Sequence, residues 1–404
     1  MKVLIITSGP LPLPASKGGA VENLIQKIID QNEQCKDMEL SVISSEDPDL
    51  EEKPKYKYTS VFYVKNQKKI YSFKRVIRKG IRKSSKIFFN KIRTIKIYPE
   101  FISEAKRLTK LDNYDKIMIL SLPEMVLSIR KFYKNEIILY LHNDHLNPTC
   151  MNAEKILKEC DKVITVSDYI KRQVMKIDKK VINKVITVLN GCDLEKFQPL
   201  SLDERTKIRE EFRYTSEDIV IVFSGRLHPT KGIFELISAI KKCQNQRVKL
   251  LVIGGAFFSS ESKSQFEKKL FKVTQGYQNR IQFTGYMSSE RIPSMLMSAD
   301  IAAVPSLFEE PCSLAILEAQ AAGLPLITTQ VGGTPEITGE SSTVLLDTKQ
   351  DFIEQLTKSI DNLANYPNRR KNMQIESKNW INQFTITNYY NNLVETIKFR
   401  TSSE

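Results

Sequence analysis

An α/β fold made of two doubly wound parallel-sheet units is what this sequence predicts, on three observations. Short apolar runs of strand length alternate with stretches of helical period through most of the chain. The 404 residues exceed what one core ordinarily supports, so two units of about 200 residues are the natural division. A turn-rich break, Asn190-Gly191-Cys192-Asp193 with Phe197 and Pro199 behind it, interrupts the alternation near the middle, and the pattern then starts afresh.

In the first half, Lys2 to Thr7 reads as a buried strand, and Val21, Leu24, Ile25, Ile28 and Ile29 mark the helix after it. Gly18 and Gly19 stand at that helix start, where the lack of a Cβ lets backbone approach a ligand; the pair is no GxGxxG fingerprint, and serves a plain turn equally well. Further strands are Glu39 to Ser44, Ser60 to Val64, Lys116 to Ser121, Glu136 to Leu141, Lys162 to Val166 and Lys184 to Leu189. His142 directly follows the strand Glu136 to Leu141, on the edge where open α/β sheets bind ligands. A buried, hydrogen-bonded histidine fits the same pattern, and His142, Asp144 and His145 lack the spacing of a metal cage.

The second half opens with the strand Ile219 to Ser224. Arg226 and Lys231 then straddle the loop into the helix Ile233 to Lys242, a placement suited to a diphosphate, or else they are two surface cations. Strands Val248 to Ile253, Arg280 to Thr284 and Ile301 to Pro305 follow, with helices at Ser262 to Val273, Ser313 to Ala322, Asp351 to Ala364 and Tyr366 to Asn379. Glu310 falls in a strand-to-helix loop, and Glu318, eight residues on, projects from the second turn of the helix that follows. Unpaired N–H groups at a helix start suit a phosphate, and carboxylates beside them accept hydrogen bonds from sugar hydroxyls; the alternative for Glu318 is an ordinary solvated residue.

The net charge of +14 is uneven: residues 1–199 hold 37 Lys and Arg against 24 Asp and Glu, residues 200–404 hold 24 against 23. Lys65 to Lys96 alone carries 13 basic residues and no acidic one, with apolar residues near helical spacing. Such a surface suits anionic lipid, or is the solvated face of a packed helix; nothing resembles a nucleic-acid-binding module. The six cysteines are scattered without paired spacing, which suggests neither disulfides nor zinc and places the chain in a reducing compartment. No apolar run reaches membrane-spanning length, and the run at the N-terminus is too short for a signal sequence. Asp47-Pro48-Asp49 reads as a solvated turn rather than a metal-binding DxD motif.

The string from Val304 to Glu336, with Glu310, Pro311 and then Glu318, resembles the signature of retaining family 4 glycosyltransferases, departing from its usual form at Cys312 and Ser313. Gly18-Gly19, Asn190 to Asp193 and Gly332-Gly333-Thr334-Pro335-Glu336 resemble further motifs of that family, and His142-Asn143 resembles its spore-coat and capsule-type members. The resemblance implies the GT-B architecture of two facing Rossmann-like domains: residues 1–192 on the acceptor side, 193–382 binding the nucleotide-sugar, and a C-terminal helix, 383–404, crossing back to the first domain. It implies that Arg226, Lys231, the amides of Ser313 and Leu314, and Gly18 and Gly19 hold the diphosphate. Glu318 would then take the ribose, Glu310 and His142 the donor sugar, with Cys312 in its pocket and the backbone at Met287 against the base. The reaction implied is transfer with retention from a nucleotide-sugar, a UDP-sugar first, to a glycan or lipid-linked hydroxyl in surface polysaccharide synthesis. No metal and no cofactor are implied, and the location would be cytoplasmic, with residues 65–96 at the inner membrane face. A nucleotide-sugar epimerase of the same fold, or a non-catalytic coat or scaffold protein, are the alternatives; the intact Arg226, Lys231, Glu310 and Glu318 set argues against the second.

Overall fold

A computed structural model describes residues 1–9, 11–50, 52–65, 98–255 and 264–399. The chain divides into two compact units, the first made of Met1–Val166, Ile170–Val188 and the residues from Leu393, the second of Ser167–Tyr169 and Leu189–Asn392.

The first unit is built on strands β1 (Lys2–Ile6), β2 (Glu39–Ser45), β3 (Thr59–Val64), β4 (Lys116–Leu120), β5 (Glu136–Leu141), β6 (Lys162–Thr165) and β7 (Val185–Thr187). All pair in parallel, in the order β3-β2-β1-β4-β5-β6-β7. Parallel strands are covered on both faces, which is why Val3, Leu4, Ile5 and Ile6 form an unbroken apolar run with every side chain buried. The sheet grows outward from β1 in one direction and then, from β4, in the other; the crevice at the carboxyl ends of β1 and β4 is therefore its switch point.

The second unit repeats the plan with β8 (Ile219–Ser224), β9 (Val248–Ile253), β10 (Ile281–Gly285), β11 (Ile301–Val304), β12 (Leu326–Thr329) and β13 (Thr343–Leu346), in the parallel order β10-β9-β8-β11-β12-β13. Its switch point lies between β8 and β11. Ile221, Phe223 and Val252 from the strands meet Leu236, Ile240, Leu356 and Ile360 from two helices in one buried cluster. Each such side chain stabilises the unit by about 1.5–3 kcal/mol.

Two Rossmann-like units are thus the fold that alternation predicted, and the eleven strands named from sequence agree with those observed to within two residues at each end. Two strands were not foreseen. β12 and β13 have four residues each, too short to show a pattern, and β12 follows directly on Gly323 and Pro325, which read only as a helix stop. The basic stretch Lys65 to Lys96, with its membrane reading, lies outside the described residues except for Lys65. Among the described residues no helix is long and apolar enough to cross a membrane.

One expectation is corrected. Asp47 is buried rather than solvated: Lys17 Nζ lies 2.8 Å from one of its oxygens, Ser16 Oγ donates to the other at 2.5 Å, and Lys17 also reaches Asp49 at 2.8 Å. The acidic, proline-containing composition suggested a turn in water. Its function in the fold is instead to tie the loop after β2 to the loop that carries Gly18 and Gly19.

A second buried charge group fastens the chain's far end to the first unit. The side chain of Lys162 is 0% exposed; its Nζ donates to the Thr396 carbonyl at 2.7 Å and to Phe399, with Glu136 Oε1 at 3.3 Å. Lys116 Nζ lies 2.6 Å from Glu136 Oε2 and donates to the Ile397 carbonyl. The last carbonyls of the helix Ile386–Lys398 have no partner within the helix, and the two ammonium groups supply it at the negative end of the helix dipole. Burial lowers the Lys162 pKa, with Glu136 opposing the shift.

Candidate active site

The switch point of the second unit gathers four of the residues singled out from sequence. After β8 the backbone passes Gly225 and Arg226 into a short 3-10 turn, Pro229–Lys231, whose lysine points toward the loop that follows β11. The two loops are joined by backbone, with the Leu307 N–H donating to the Thr230 carbonyl at 2.8 Å. Lys231 Nζ stands 2.6 Å from Glu310 Oε1 and 4.8 Å from the centre of the Phe308 ring. Ser306 Oγ donates to the same carboxylate oxygen at 2.5 Å. Glu310 is buried, so these donors replace the water that its charge has lost.

Glu310 is also held through its main chain. The Gly333 N–H donates to the Glu310 carbonyl at 2.7 Å, and the Gly332 N–H donates to the Glu309 carboxylate at 2.5 Å. The Gly332-Gly333 pair that resembled a family motif thus acts here as a backbone brace for the acidic loop.

Arg226 is exposed and has neither an ion pair nor a side-chain hydrogen bond among the described residues. Its charge is therefore available to an incoming anion, while that of Lys231 is already shared.

Ser313 is the N-cap of the helix Leu314–Ala321 and makes no side-chain cap. The first amides of that helix are left without the hydroxyl partner that Ser usually provides, the state in which a helix start receives an anion. Asn190 sets the approach to this helix: its Nδ2 donates to the Cys312 carbonyl at 3.1 Å, and its Oδ1 is buried with no partner among the described residues. Burial pushes the Cys312 thiol up to about 12, so that it is a neutral wall and no thiolate. On the second turn, Glu318 is half-buried, and loss of water raises its pKa to about 7, with Lys196 pulling weakly the other way. Met287 follows β10 at the sheet edge, separated from β8 by β9.

In the first unit, Gly18 and Gly19 end the loop after β1, both at positive φ, and at Gly19 a side chain would be strained and crowded. A Cβ there would lie 2.6 Å from Leu11 Cδ1 and closer still to the carboxylate of Glu22. Glu22 was not singled out from sequence. It is buried in the first turn of the helix Ala20–Cys35 and accepts the Ser8 hydroxyl at 2.9 Å; burial raises its pKa, opposed by its own N–H and by Ser8. His142 follows β5 with its ring 4.2 Å from that of Tyr140. Its Nε2 is buried without a hydrogen-bond partner among the described residues, and burial pushes its pKa down to about 3. The residue as a whole is half-buried, with that one nitrogen enclosed. Among the described residues no group of three His, Cys, Asp or Glu side chains is placed to hold a metal.

Residues 204–380 match the family model described as glycosyl transferases group 1. That stretch is similar to the group 1 glycosyl transferases. The matched stretch contains Arg226, Lys231, Glu310 and Glu318 and nearly all of the second unit's sheet and helices. Over most of its length the chain is similar to two proteins of Bacillus subtilis strain 168: YtcC, 29% identical over 89% of this chain and 83% of that one, and spore coat protein SA, 24% identical over 92% of each. Among solved structures, HepE of Anabaena in complex with UDP has the same fold, with a TM-score of 0.73, 18% identity and coverage of 98% of this chain and 99% of that one. HepE has also been solved with UDP-glucose.

Proposed function

We propose that this protein is a retaining glycosyltransferase that moves a sugar from a UDP-sugar to a hydroxyl of a glycan or lipid-linked acceptor, without a metal. The observation that carries the reading is the Glu310–Lys231 pair at the second sheet's switch point, with Arg226 unpaired among the described residues on the same loop as Lys231, within the stretch that matches the group 1 model. Departure of a diphosphate develops negative charge on its oxygens, and two fixed cations together with uncapped helix amides stabilise that charge without reorganising. Glu310, held by Ser306 and Lys231, accepts hydrogen bonds from the transferred sugar. Glu318 accepts from the ribose, which makes a ribonucleotide the preferred carrier. UDP in HepE supports uridine as the first base to test, and UDP-glucose as the first donor.

In the first unit, the resemblance assigns Gly18 and Gly19 to phosphate and His142 to the donor sugar. In this reading no protein nucleophile takes part, and the proton of the acceptor hydroxyl passes to the leaving phosphate oxygen on the same face of the sugar. Likeness to spore coat protein SA supports a surface glycoconjugate as the product.

The deciding experiment incubates the purified protein with UDP-, GDP- and dTDP-sugars and candidate acceptors, following diphosphate release and the anomeric configuration of the product by NMR. Release of UDP with an axial donor giving an axial product is expected, with no change when a chelator is added. An inverted product would end the retaining assignment. Absence of both diphosphate release and UDP binding would end the transferase reading.

A further inference from the structure

Asp300 and Ser306 stand at opposite ends of β11. Ser306 belongs to the switch-point cluster, whereas Asp300 lines a groove of about 500 Å3 at the amino ends of the same strands. Its other charged lining residues are Arg205, Arg370, Lys371 and Lys378, four cations against one carboxylate. That carboxylate is already engaged: Asp300 takes Arg205 Nη2 at 2.6 Å, the buried Arg209 Nη2 at 2.7 Å and the Val220 N–H at 2.7 Å. Lys371 and Lys378 are exposed and have no carboxylate partner among the described residues. The groove is thus a local excess of positive charge, in a half of the chain where acidic and basic residues otherwise nearly balance.

Its walls are fixed. The helix Pro367–Ile381, which carries Arg370, Lys371 and Lys378, is pinned to the loop before β12 by the buried Ser377 hydroxyl, donating to the Leu324 carbonyl at 2.7 Å. Arg370 Nη1 donates to the Leu363 carbonyl and to the Ala364 carbonyl at 2.7 Å, which fixes that guanidinium in the groove wall with Nε and Nη2 not engaged among the described residues. Gly323 lets the Lys378 stem lie across the loop, since a Cβ there would come within 2.6 Å of Lys378 Cε. Guanidinium forks anchored by carboxylate and carbonyl, with two unpaired ammonium groups beside them, match an anion that carries several charged oxygens better than a single carboxylate.

We propose that this groove binds a phosphate-bearing ligand, a di- or polyphosphate or a phospholipid headgroup, at a site separate from the Lys231–Glu310 cluster. The phosphate oxygens accept from Arg205, Arg370, Lys371 and Lys378. A volume of this size is within the usual range for a small-molecule site of about 300–1,000 Å3.

The test uses the full chain and reads single lysines by mass spectrometry after brief acylation, with inorganic tripolyphosphate as the soluble probe. Lys371 and Lys378 are expected to react several-fold more slowly when the probe is present, and the exposed Lys268 of the same unit is expected not to change. In Lys371→Glu, protection of Lys378 should disappear, with thermal melting showing that the fold is intact. A parallel arm measures co-sedimentation with phosphatidylcholine vesicles with and without phosphatidylglycerol, comparing the native protein with Lys371→Glu/Lys378→Glu. Protection by tripolyphosphate alone supports a soluble phosphate ligand; vesicle binding that the double variant loses supports a headgroup. The proposal is overturned if neither occurs, or if Lys268 is protected as strongly as the two groove lysines.

Discussion

Lys231 Nζ and Glu310 Oε1 lie 2.6 Å apart, joining the loop after β8 to the loop after β11 across the switch point of the second sheet. The Lys231 side chain is 21% exposed and that of Glu310 only 6%, so the lysine reaches solvent while the carboxylate depends on the lysine. Arg226, close by in sequence, has no such dependant.

The two cations should therefore fail differently. Each alanine variant is expected to lower kcat/KM by about a hundredfold, the scale for removing one group that stabilises transition-state charge. Only Lys231→Ala should also lose stability, by about 1–3 kcal/mol, because it leaves Glu310 buried with Ser306 as its remaining donor. Denaturant unfolding of both variants checks this. Equal stability of the two would mean that Glu310 does not need the lysine.

Glu318 gives a prediction in pH. Its pKa is raised from 4.5 to about 7 in the folded chain, so the fold binds a proton there that the unfolded chain has released. The stability that this contributes is fully present below pH 4.5 and is lost as pH rises through about 7. Glu318→Gln should remove that part of the slope, matching the native protein at pH 4 and exceeding it at pH 8. A carboxylate that accepts ribose hydroxyls must be ionised, so UDP should also bind the native protein more tightly as pH passes 7, relative to the Gln variant. Calorimetry of both proteins across the range separates this from the titration of UDP itself, which is common to the two.

His142 is expected to trade stability for activity. Its unpartnered Nε2 costs about 1–3 kcal/mol in the free protein. His142→Phe keeps the ring against Tyr140 and should melt higher while turning over more slowly. With its pKa near 3, the native ring stays neutral through pH 5–8 and should add no limb to the rate profile there. A melting temperature below that of the native protein would show that Nε2 is satisfied.

How much of this was legible beforehand divides by range of interaction. The alternating pattern needed only neighbours in sequence, and β1 through β11 were readable because a buried parallel strand is apolar on both faces. Arg226, Lys231 and Glu310 stood out because strand-to-helix loops concentrate ligand contacts, and Glu318 because it follows on the second turn of the helix that such a loop opens. What sequence did not reveal was the pairing. That Glu310 shares its charge with Lys231, that Asn190 holds the Cys312 carbonyl and that Asp47 is buried around Lys17 each depends on contacts 30 or more residues apart, for which local composition carries no signal. Asp47 shows the cost of reading locally, since DPD flanked by acids is a turn in water unless a distant lysine claims it.

Replacing Lys162 should be among the most damaging changes in the first unit. Lys162→Met leaves the buried Thr396 carbonyl without its donor and takes a cation from the half-buried Glu136 and a donor from Phe399, and a loss of about 3–5 kcal/mol is expected. Equilibrium unfolding measures it. A loss below about 1 kcal/mol, the net worth of an ordinary hydrogen bond, would mean that the carbonyls find other partners.

The same lysines impose an order of events during synthesis. Lys116, Glu136 and Lys162 leave the ribosome early, but their acceptors at Thr396, Ile397 and Phe399 emerge some 230 residues after Lys162. Domains made at the front of a chain generally fold while the rest is still being translated. Here the leading unit must wait with Lys116 and Lys162 matched by Glu136 alone, and their carbonyl partners arrive only with the helix Ile386–Lys398 and Phe399.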